Sequence, residues 1–144
     1  METQQTTKAS SWTILLIEDD PFIFDIYNMK FTKEGHTVIG AHSGEEALKV
    51  LENPETPPID VILSDVIMPG IGGFGFLEKK YNMPKYRDIP VIMLTNVSER
   101  EHYDLAEKYG AIGYIVKANH TPSDVLQRVT KLLNEHRIQS DNNQ

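Results

Sequence analysis

Apolar residues along this chain fall into five short runs that are separated by longer amphipathic stretches. The runs lie at Thr13–Ile17, Thr37–Ala41, 59–64, 91–94 and 112–116. They are rich in β-branched residues and bounded by turn residues, and the third and fourth are almost continuously apolar. Such runs are typical of β-strands whose two faces are both buried. The pattern therefore predicts five strands.

The stretches between the strands carry signals for helices. Three pairs have the spacing of a capping box, in which a side chain at each position satisfies a free backbone amide of the other. These pairs are Ser43 with Glu46, Ser98 with Glu101, and Thr121 with Asp124. Pro122 suits a first helical position, Gly110 suits the residue after a helix, and Asp20 suits a cap before Pro21.

Apolar residues recur at helical spacing in the first and last of these stretches. The first stripe consists of Ile23, Ile26, Tyr27 and Phe31, and the last consists of Val125, Leu126, Val129, Leu132 and Leu133. Strands that alternate with helices predict an α/β fold. We expect a five-stranded parallel sheet, doubly wound, with helices on both faces.

One domain is expected, with short polar ends. Residues 1–11 lack apolar periodicity and are predicted to form a disordered leader, and residues 138–144 are predicted to form a frayed, disordered tail. The interval 12–137 is then a single domain, of a size that can bury a hydrophobic core.

Composition excludes several classes of function. Lys and Arg total 14 against 21 Asp and Glu, and the net charge of −7 argues against unaided binding to nucleic acid or to an anionic membrane. The sequence contains no segment of membrane-spanning length, no signal peptide and no cysteine. We therefore expect a cytoplasmic protein without thiolate chemistry.

Acidic residues follow two of the predicted strands. Glu18, Asp19 and Asp20 come directly after the first strand, and Asp65 comes directly after the third. Because the carboxyl ends of parallel strands share one edge of the sheet, these groups are expected to converge in a crevice there. Carboxylates that lie close together repel unless a cation is present, and hard oxygen ligands suit Mg²⁺.

The fourth and fifth strands end in groups that bind anions. Thr95 follows the fourth run, and Lys117 follows the fifth. A Lys ammonium acts as a point charge for phosphate, and would pair with Asp65 when no phosphate is bound. The sequence therefore predicts a site for both a divalent cation and an anion.

Four motifs in this order resemble the receiver domain of bacterial two-component response regulators. They lie at residues 14–21, 63–70, 91–95 and 114–117, and the resemblance covers roughly residues 12–136. It implies a flavodoxin-like, three-layer α/β/α fold. It also implies that Asp65 is the phosphoacceptor, taking a phosphoryl group from a sensor histidine kinase or a phosphotransfer protein.

The same resemblance implies roles for the other site residues. Asp19, Asp65 and the backbone carbonyl of Ile67 would hold Mg²⁺, with Glu18 helping directly or through water. Lys117 and the Thr95 hydroxyl would contact the phosphoryl oxygens. Tyr114 would be the aromatic switch that turns inward when Thr95 moves.

Partners are expected to be proteins. In receivers the first helix docks against the histidine-bearing bundle, and Phe22 and Phe24 bracket its apolar stripe, so at least one of them is expected to face outward. The downstream partner is unknown, and neither nucleic acid nor a membrane is expected. With no room for an output domain after residue 137, we expect a stand-alone receiver that is a monomer or a weak dimer.

The chain departs from the family pattern after Lys117, and two variable positions bear on how long a phosphoryl group would last. Many receivers have Pro after the lysine, but Ala118 follows Lys117 here, so the bond between them is either a strained cis bond or part of a rebuilt loop. Ile67 and Val97 flank the path of the hydrolytic water in the family. Both are apolar and cannot orient that water, which predicts slow self-dephosphorylation.

Three other interpretations fit the sequence less well. A degenerate receiver would act only as a phosphorylation-independent interaction module, but the intact acids, Thr95 and Lys117 argue against it. A phosphatase of the haloacid-dehalogenase type needs an acid two residues after its nucleophile, where Ile67 stands. A flavin-binding domain of flavodoxin shape needs a phosphate loop after the first strand, where the acids would repel phosphate.

Overall fold

The structure is a computed structural model, and it describes residues 11–142. Strands and helices alternate along this part of the chain. The strands are β1 (Thr13–Ile17), β2 (Thr37–Ala41), β3 (Val61–Ser64), β4 (Val91–Thr95) and β5 (Gly113–Val116). The helices are α1 (Pro21–Lys33), α2 (Gly44–Glu52), α3 (Gly72–Tyr81), α4 (Arg100–Lys108) and α5 (Pro122–Asn142), with a 3₁₀ turn at Lys117–Asn119. Within residues 11–142, no helix is both long and apolar enough to cross a membrane.

All five strands pair in parallel in the order β2-β1-β3-β4-β5, which confirms the predicted sheet. Side chains alternate between its two faces. Ile14 and Leu16 of β1 pack with α1 and α5 in one hydrophobic core, and Leu15 and Ile17 pack with α2, α3 and α4 in the other. This arrangement explains the unbroken apolar runs, because each central strand must present apolar side chains in both directions.

Several helix starts follow the sequence signals. The Asp20 carboxylate accepts hydrogen bonds from the amides of Phe22 and Ile23 and so caps α1. Thr121 and Asp124 form a reciprocal capping box at α5. At α2, the Ser43 hydroxyl accepts a hydrogen bond from the Glu46 amide. The Glu46 carboxylate accepts one from the amide of His42, one residue before the amide of Ser43 that a capping box would use. These bonds satisfy amides that the first helical turn leaves without partners.

The predicted capping box of Ser98 and Glu101 is wrong. Helix α4 begins at Arg100, its cap residue is Glu99, and that cap makes no side-chain hydrogen bond. Ser98 therefore lies one residue before the cap, too early for the reciprocal pair. The Gly110 prediction is correct, since this residue follows the end of α4 with a φ of 84°.

The end of α5 also corrects the sequence prediction. The helix continues to Asn142, so residues 138–142 are not the disordered tail that was expected. Residues 134–142 contain neither Gly nor Pro, and an established helix propagates readily through such residues. The rest of the predicted tail, 143–144, and the predicted leader up to residue 10 lie outside the described residues.

Helix α1 exposes more apolar surface than its sequence stripe suggested. Tyr27 and Phe31 of the stripe are buried, but Ile26 of the same stripe is 53% exposed. Phe22 is 79% exposed and Met29 is 71% exposed. These three exposed residues are spaced at i, i+4 and i+7 and therefore share one face of the helix.

His36 lies at the other end of the sheet, before β2. Its side chain is buried, and its Nδ1 accepts a hydrogen bond of 2.9 Å from the backbone amide of Trp12. Burial lowers the pKa of His36 below its ordinary value of 6.5, and the nearby charge of Glu34 opposes this shift only in part. The folded protein therefore favours the neutral imidazole, which leaves Nδ1 free to accept.

We expect the folded state to lose stability in mild acid because of His36. The His36 imidazole binds a proton more readily in the unfolded chain than in the folded protein. The stability that neutral His36 contributes to the folded state is therefore complete above pH 6.5 and is lost as the pH falls from there through the folded pKa. Each unit of lowering corresponds to about 1.4 kcal/mol. Urea denaturation of the parent and of His36→Asn between about pH 7.5 and 5 measures the effect. A variant that loses as much stability as the parent would contradict the assignment, and His136→Asn is the matched control.

Candidate functional site

The ends of β1 and β3 form the centre of the site. The order of strands reverses direction between β1 and β3, and a crevice opens at such a switch point beyond the carboxyl ends of the strands. The amide of Glu18 donates to the carbonyl of Ala41, and the amide of Asp65 donates to the carbonyl of Ile17. These bonds continue the ladders past the strands and hold both acids at one edge of the sheet.

Three carboxylates converge there, as predicted. Glu18, Asp19 and Asp65 each offer an oxygen that lies within 4.8 Å of the others. Glu18 is buried, Asp65 is half-buried and Asp19 is exposed, so the cluster opens to solvent on one side. Oxygen ligands that retain access to water suit Mg²⁺, which keeps several of its waters when it binds to proteins.

Lys117 reaches into this cluster from β5. Its side chain is buried, and its ammonium nitrogen lies 2.6 Å from Glu18 Oε1 and 3.1 Å from Asp65 Oδ2. The predicted pairing with Asp65 is confirmed, and the shorter contact to Glu18 is an addition. Three carboxylates against one ammonium leave excess negative charge, which fits a divalent cation at this position.

The protonation states of this pair follow from their surroundings. Burial alone would lower the pKa of Lys117, but the hydrogen bond to Glu18 and the charges of Asp65 and Glu18 outweigh it and raise the pKa. Lys117 therefore stays charged. Burial raises the pKa of Glu18, while the hydrogen bond and charge of Lys117 act in the opposite direction.

The loop after β3 fixes the Asp65 carboxylate from the other side. Asp65 Oδ1 accepts a hydrogen bond of 2.6 Å from the amide of Val66. The amide of Gly73 donates to the carbonyl of Val66 at 3.0 Å, and a Cβ at Gly73 would collide with the carbonyl oxygen of Asp65. Only glycine allows α3 to start this close to the acid.

Thr95 and Tyr114 lie on the adjoining strands. Thr95 is buried, and its Oγ1 accepts a long hydrogen bond of 3.4 Å from the amide of Val97. The Tyr114 hydroxyl donates to the carbonyl of Val97 at 2.6 Å, and its ring lies 4.1 Å from that of Tyr103, centroid to centroid. Burial, followed by the nearby Tyr103, Glu99 and Asp65, raises the pKa of Tyr114 to about 12, so the hydroxyl keeps its proton.

The loop after Lys117 is rebuilt without a cis bond. Every peptide bond in the described chain is trans, and Lys117–Asn119 form a 3₁₀ turn. The amide of Ala118 donates to the side-chain oxygen of Asn96 at 2.8 Å. Sequence reasoning did not single out Asn96, and the only signal was its position directly after Thr95.

The two apolar positions of the predicted water path differ in their surroundings. The Ile67 side chain is 64% exposed beside Asp65, and Val97 is half-buried beside Thr95. The role of the Ile67 carbonyl as a metal ligand stays a prediction, because the convergence seen here concerns the carboxylates of Glu18, Asp19 and Asp65.

Comparison with known proteins places the chain in a family. Residues 14–130 match the family described as the response regulator receiver domain. The chain is 33% identical over 129 residues to a probable transcriptional regulator, ycf27, of Cyanidium caldarium, covering 90% of this chain and 48% of that protein. It is 32% identical over 120 residues to the response regulator SaeR of Staphylococcus epidermidis, covering 83% of this chain and 49% of SaeR.

Solved structures show the same relationship. The chemotaxis response regulator CheY4 of Vibrio cholerae superposes with a TM-score of 0.76 at 28% identity, covering 85% of this chain and 99% of CheY4. This similarity confirms the flavodoxin-like fold. The chain spans about half the length of the two curated relatives described above. Motifs, fold and similarity agree, and the chain belongs to the receiver-domain family of two-component response regulators.

Proposed function

We propose that this receiver accepts a phosphoryl group on Asp65 from a phosphohistidine of a sensor histidine kinase or phosphotransfer protein. The observation that carries the proposal is the position of the Asp65 carboxylate, which lies 3.1 Å from the Lys117 ammonium and within 4.8 Å of two further carboxylates. This site has both the cationic group that an incoming phosphoryl group needs and the oxygen cluster that a divalent ion needs.

In this reaction an oxygen of Asp65 attacks phosphorus. The bond from phosphorus to the imidazole nitrogen breaks, an acyl phosphate forms, and the imidazole leaves with the electron pair and takes up a proton. Mg²⁺ held by Asp19 and Asp65, with Glu18 and the Ile67 carbonyl assisting, would neutralise the phosphoryl oxygens. Lys117 shifts its contact from Asp65 to the new oxygens, since phosphoryl transfer depends mainly on positioning and charge.

Thr95 and Tyr114 supply the conformational response. Among the described residues the Thr95 hydroxyl oxygen accepts one long bond, from the Val97 amide, and its O–H can donate to a phosphoryl oxygen on Asp65, which would be a stronger, charge-assisted bond. Tyr114 is bonded to the carbonyl of Val97 and therefore follows any movement of this loop. A contact that exists only after phosphorylation can shift a two-state equilibrium, and the surface around Tyr103 and Tyr114 changes with it.

The exposed face of α1 is the proposed docking surface for the kinase. Phe22, Ile26 and Met29 share this face and lie on the helix that begins directly after the acidic loop. Phe24, also proposed from the sequence, is half-buried, and its ring lies 4.8 Å from the ring of His42. We propose the cytoplasm as the location, a protein as the downstream partner, and a monomer or weak dimer as the state.

We expect the purified protein to gain one phosphoryl group from acetyl phosphate when Mg²⁺ is present. Asp65→Asn should abolish this gain, because the acceptor oxygen is lost. Asp19→Asn should weaken Mg²⁺ binding by at least about tenfold, since one anionic ligand is removed, equivalent to about 1.4 kcal/mol. Intact mass and calorimetric titration measure the two effects, with Asp25→Asn on the exposed surface of α1 as the control. Absence of labelling in the parent would favour a phosphorylation-independent interaction module.

The phosphorylated state should be long-lived because no polar side chain orients the attacking water at positions 67 and 97. We expect Ile67→Asn combined with Val97→Glu to hydrolyse its acyl phosphate about tenfold faster, as positioned polar groups assist proton transfer by roughly 10²-fold or more. Loss of radiolabelled phosphate with Mg²⁺ provides the rate. Ile67→Leu combined with Val97→Ile keeps both positions apolar and should match the parent. Equal rates in all three proteins would disprove the explanation.

Replacing Phe22, Ile26 and Met29 by Ala should slow transfer from phosphorylated histidine phosphotransfer domains by about tenfold or more. Interface side chains of this size contribute most of the binding energy when they become buried. Phosphorylation by acetyl phosphate should not change, because that donor needs no docking surface. Ile138→Ala on α5 is the matched control for an exposed apolar residue. Unchanged transfer from every domain of a kinase panel would exclude this face.

A further inference from the structure

The turn that follows β5 has a backbone hydrogen-bond donor at Ala118, where many receivers have proline. Ala118 carries a backbone N–H, and this group donates to Asn96 Oδ1 at 2.8 Å. Lys117 immediately precedes Ala118, and its ammonium holds Glu18 and Asp65. The hydrogen bond between Ala118 and Asn96 is therefore made one residue after Lys117, whose ammonium carries the positive charge of the site.

Asn96 connects two segments that both contribute to the anion side of the site. It directly follows Thr95, the last residue of β4, and Thr95 pairs with Val116 in the sheet. The backbone before Lys117 is thus fixed by the β4–β5 ladder, and the backbone after it is fixed by the Asn96 side chain. His120 completes the turn, because its amide donates to the carbonyl of Lys117 at 3.2 Å.

A fixed backbone matters at this position because Lys117 must reach far. Strand β4 lies between β5 and β3, so about two strand spacings, roughly 10 Å, separate the backbones at the ends of β5 and β3, and the Lys117 and Asp65 side chains must together span that gap. A long side chain on a mobile turn would sample many positions and lose rotamer freedom on binding. A turn that is held at both ends reduces that cost.

We infer that Asn96 is a positioning residue that holds the Lys117 turn through the Ala118 amide and so aligns the ammonium with the Thr95 loop for phosphoryl binding. The inference rests on the proposed phosphorylation of Asp65. It predicts that loss of the Asn96 oxygen slows phosphorylation by an anionic phosphoryl donor. Binding of Mg²⁺ should stay intact, since the three carboxylates lie on other loops.

The test compares Asn96→Ala with Asn119→Ala, which removes an exposed Asn side chain from the same turn. In Asn96→Ala, hydrogen exchange of the Ala118 amide should accelerate. The second-order rate constant for phosphorylation by acetyl phosphate should fall about fivefold, the effect of one hydrogen bond of ordinary strength. The Kd for Mg²⁺ should stay within about twofold. Asn119→Ala should match the parent in all three measurements. Asn96→Asp keeps an acceptor oxygen and should restore the slow exchange of Ala118.

A double-mutant cycle tests the link between the two residues. Ala118→Pro removes the backbone N–H that donates to Asn96. Adding Asn96→Ala to this variant should therefore cause no further loss in the rate constant for phosphorylation by acetyl phosphate. An additive loss would overturn the inference, as would an Asn96→Ala variant that is phosphorylated as fast as the parent or faster. If the parent itself takes up no phosphoryl group, the proposed function fails first, and the two failures are told apart by that measurement.

Discussion

One buried ammonium makes the acidic edge of this sheet possible. Lys117 contacts Glu18 and Asp65 at the same time, so each of its two hydrogen bonds joins an opposite charge. An ionised group that is buried without such partners would cost several kcal/mol, and removing either side of a buried pair leaves the other uncompensated. Lys117 thus stabilises the site without a ligand, and the same charge is available to a phosphoryl group that displaces its contact with Asp65.

The geometry of the parallel sheet sets what each residue at this edge has to do. Glu18 and Asp65 leave neighbouring strands and meet directly, whereas Lys117 leaves a strand two positions from β3 and must cross the end of β4. A long side chain with a terminal charge meets that requirement. Thr95 ends the strand between, and the loop after it is tied to β5 by the Tyr114 bond to Val97 and to the turn after Lys117 by the Asn96 bond to Ala118.

Local signals in the sequence were reliable where a short-range hydrogen bond decides the structure. Asp20 and the pair of Thr121 and Asp124 cap their helices as their spacing indicates. Ser98 with Glu101 has the same spacing but lies one residue out of position, because α4 begins at Arg100. Helix ends without a stop signal were harder to predict. Helix α5, for example, extends beyond the expected limit at residue 137.

By itself the sequence determined the five βα units, the two-sided burial of the strands and the group of residues that meets at one sheet edge, because these follow from periodicity and from the shared direction of parallel strands. Only the tertiary structure decided that Lys117 bonds Glu18 as well as Asp65, that Gly73 permits close approach to Asp65, and that Asn96 holds the turn at Ala118. These contacts depend on the distances and directions between elements in the folded sheet. No local pattern in the sequence encodes those distances.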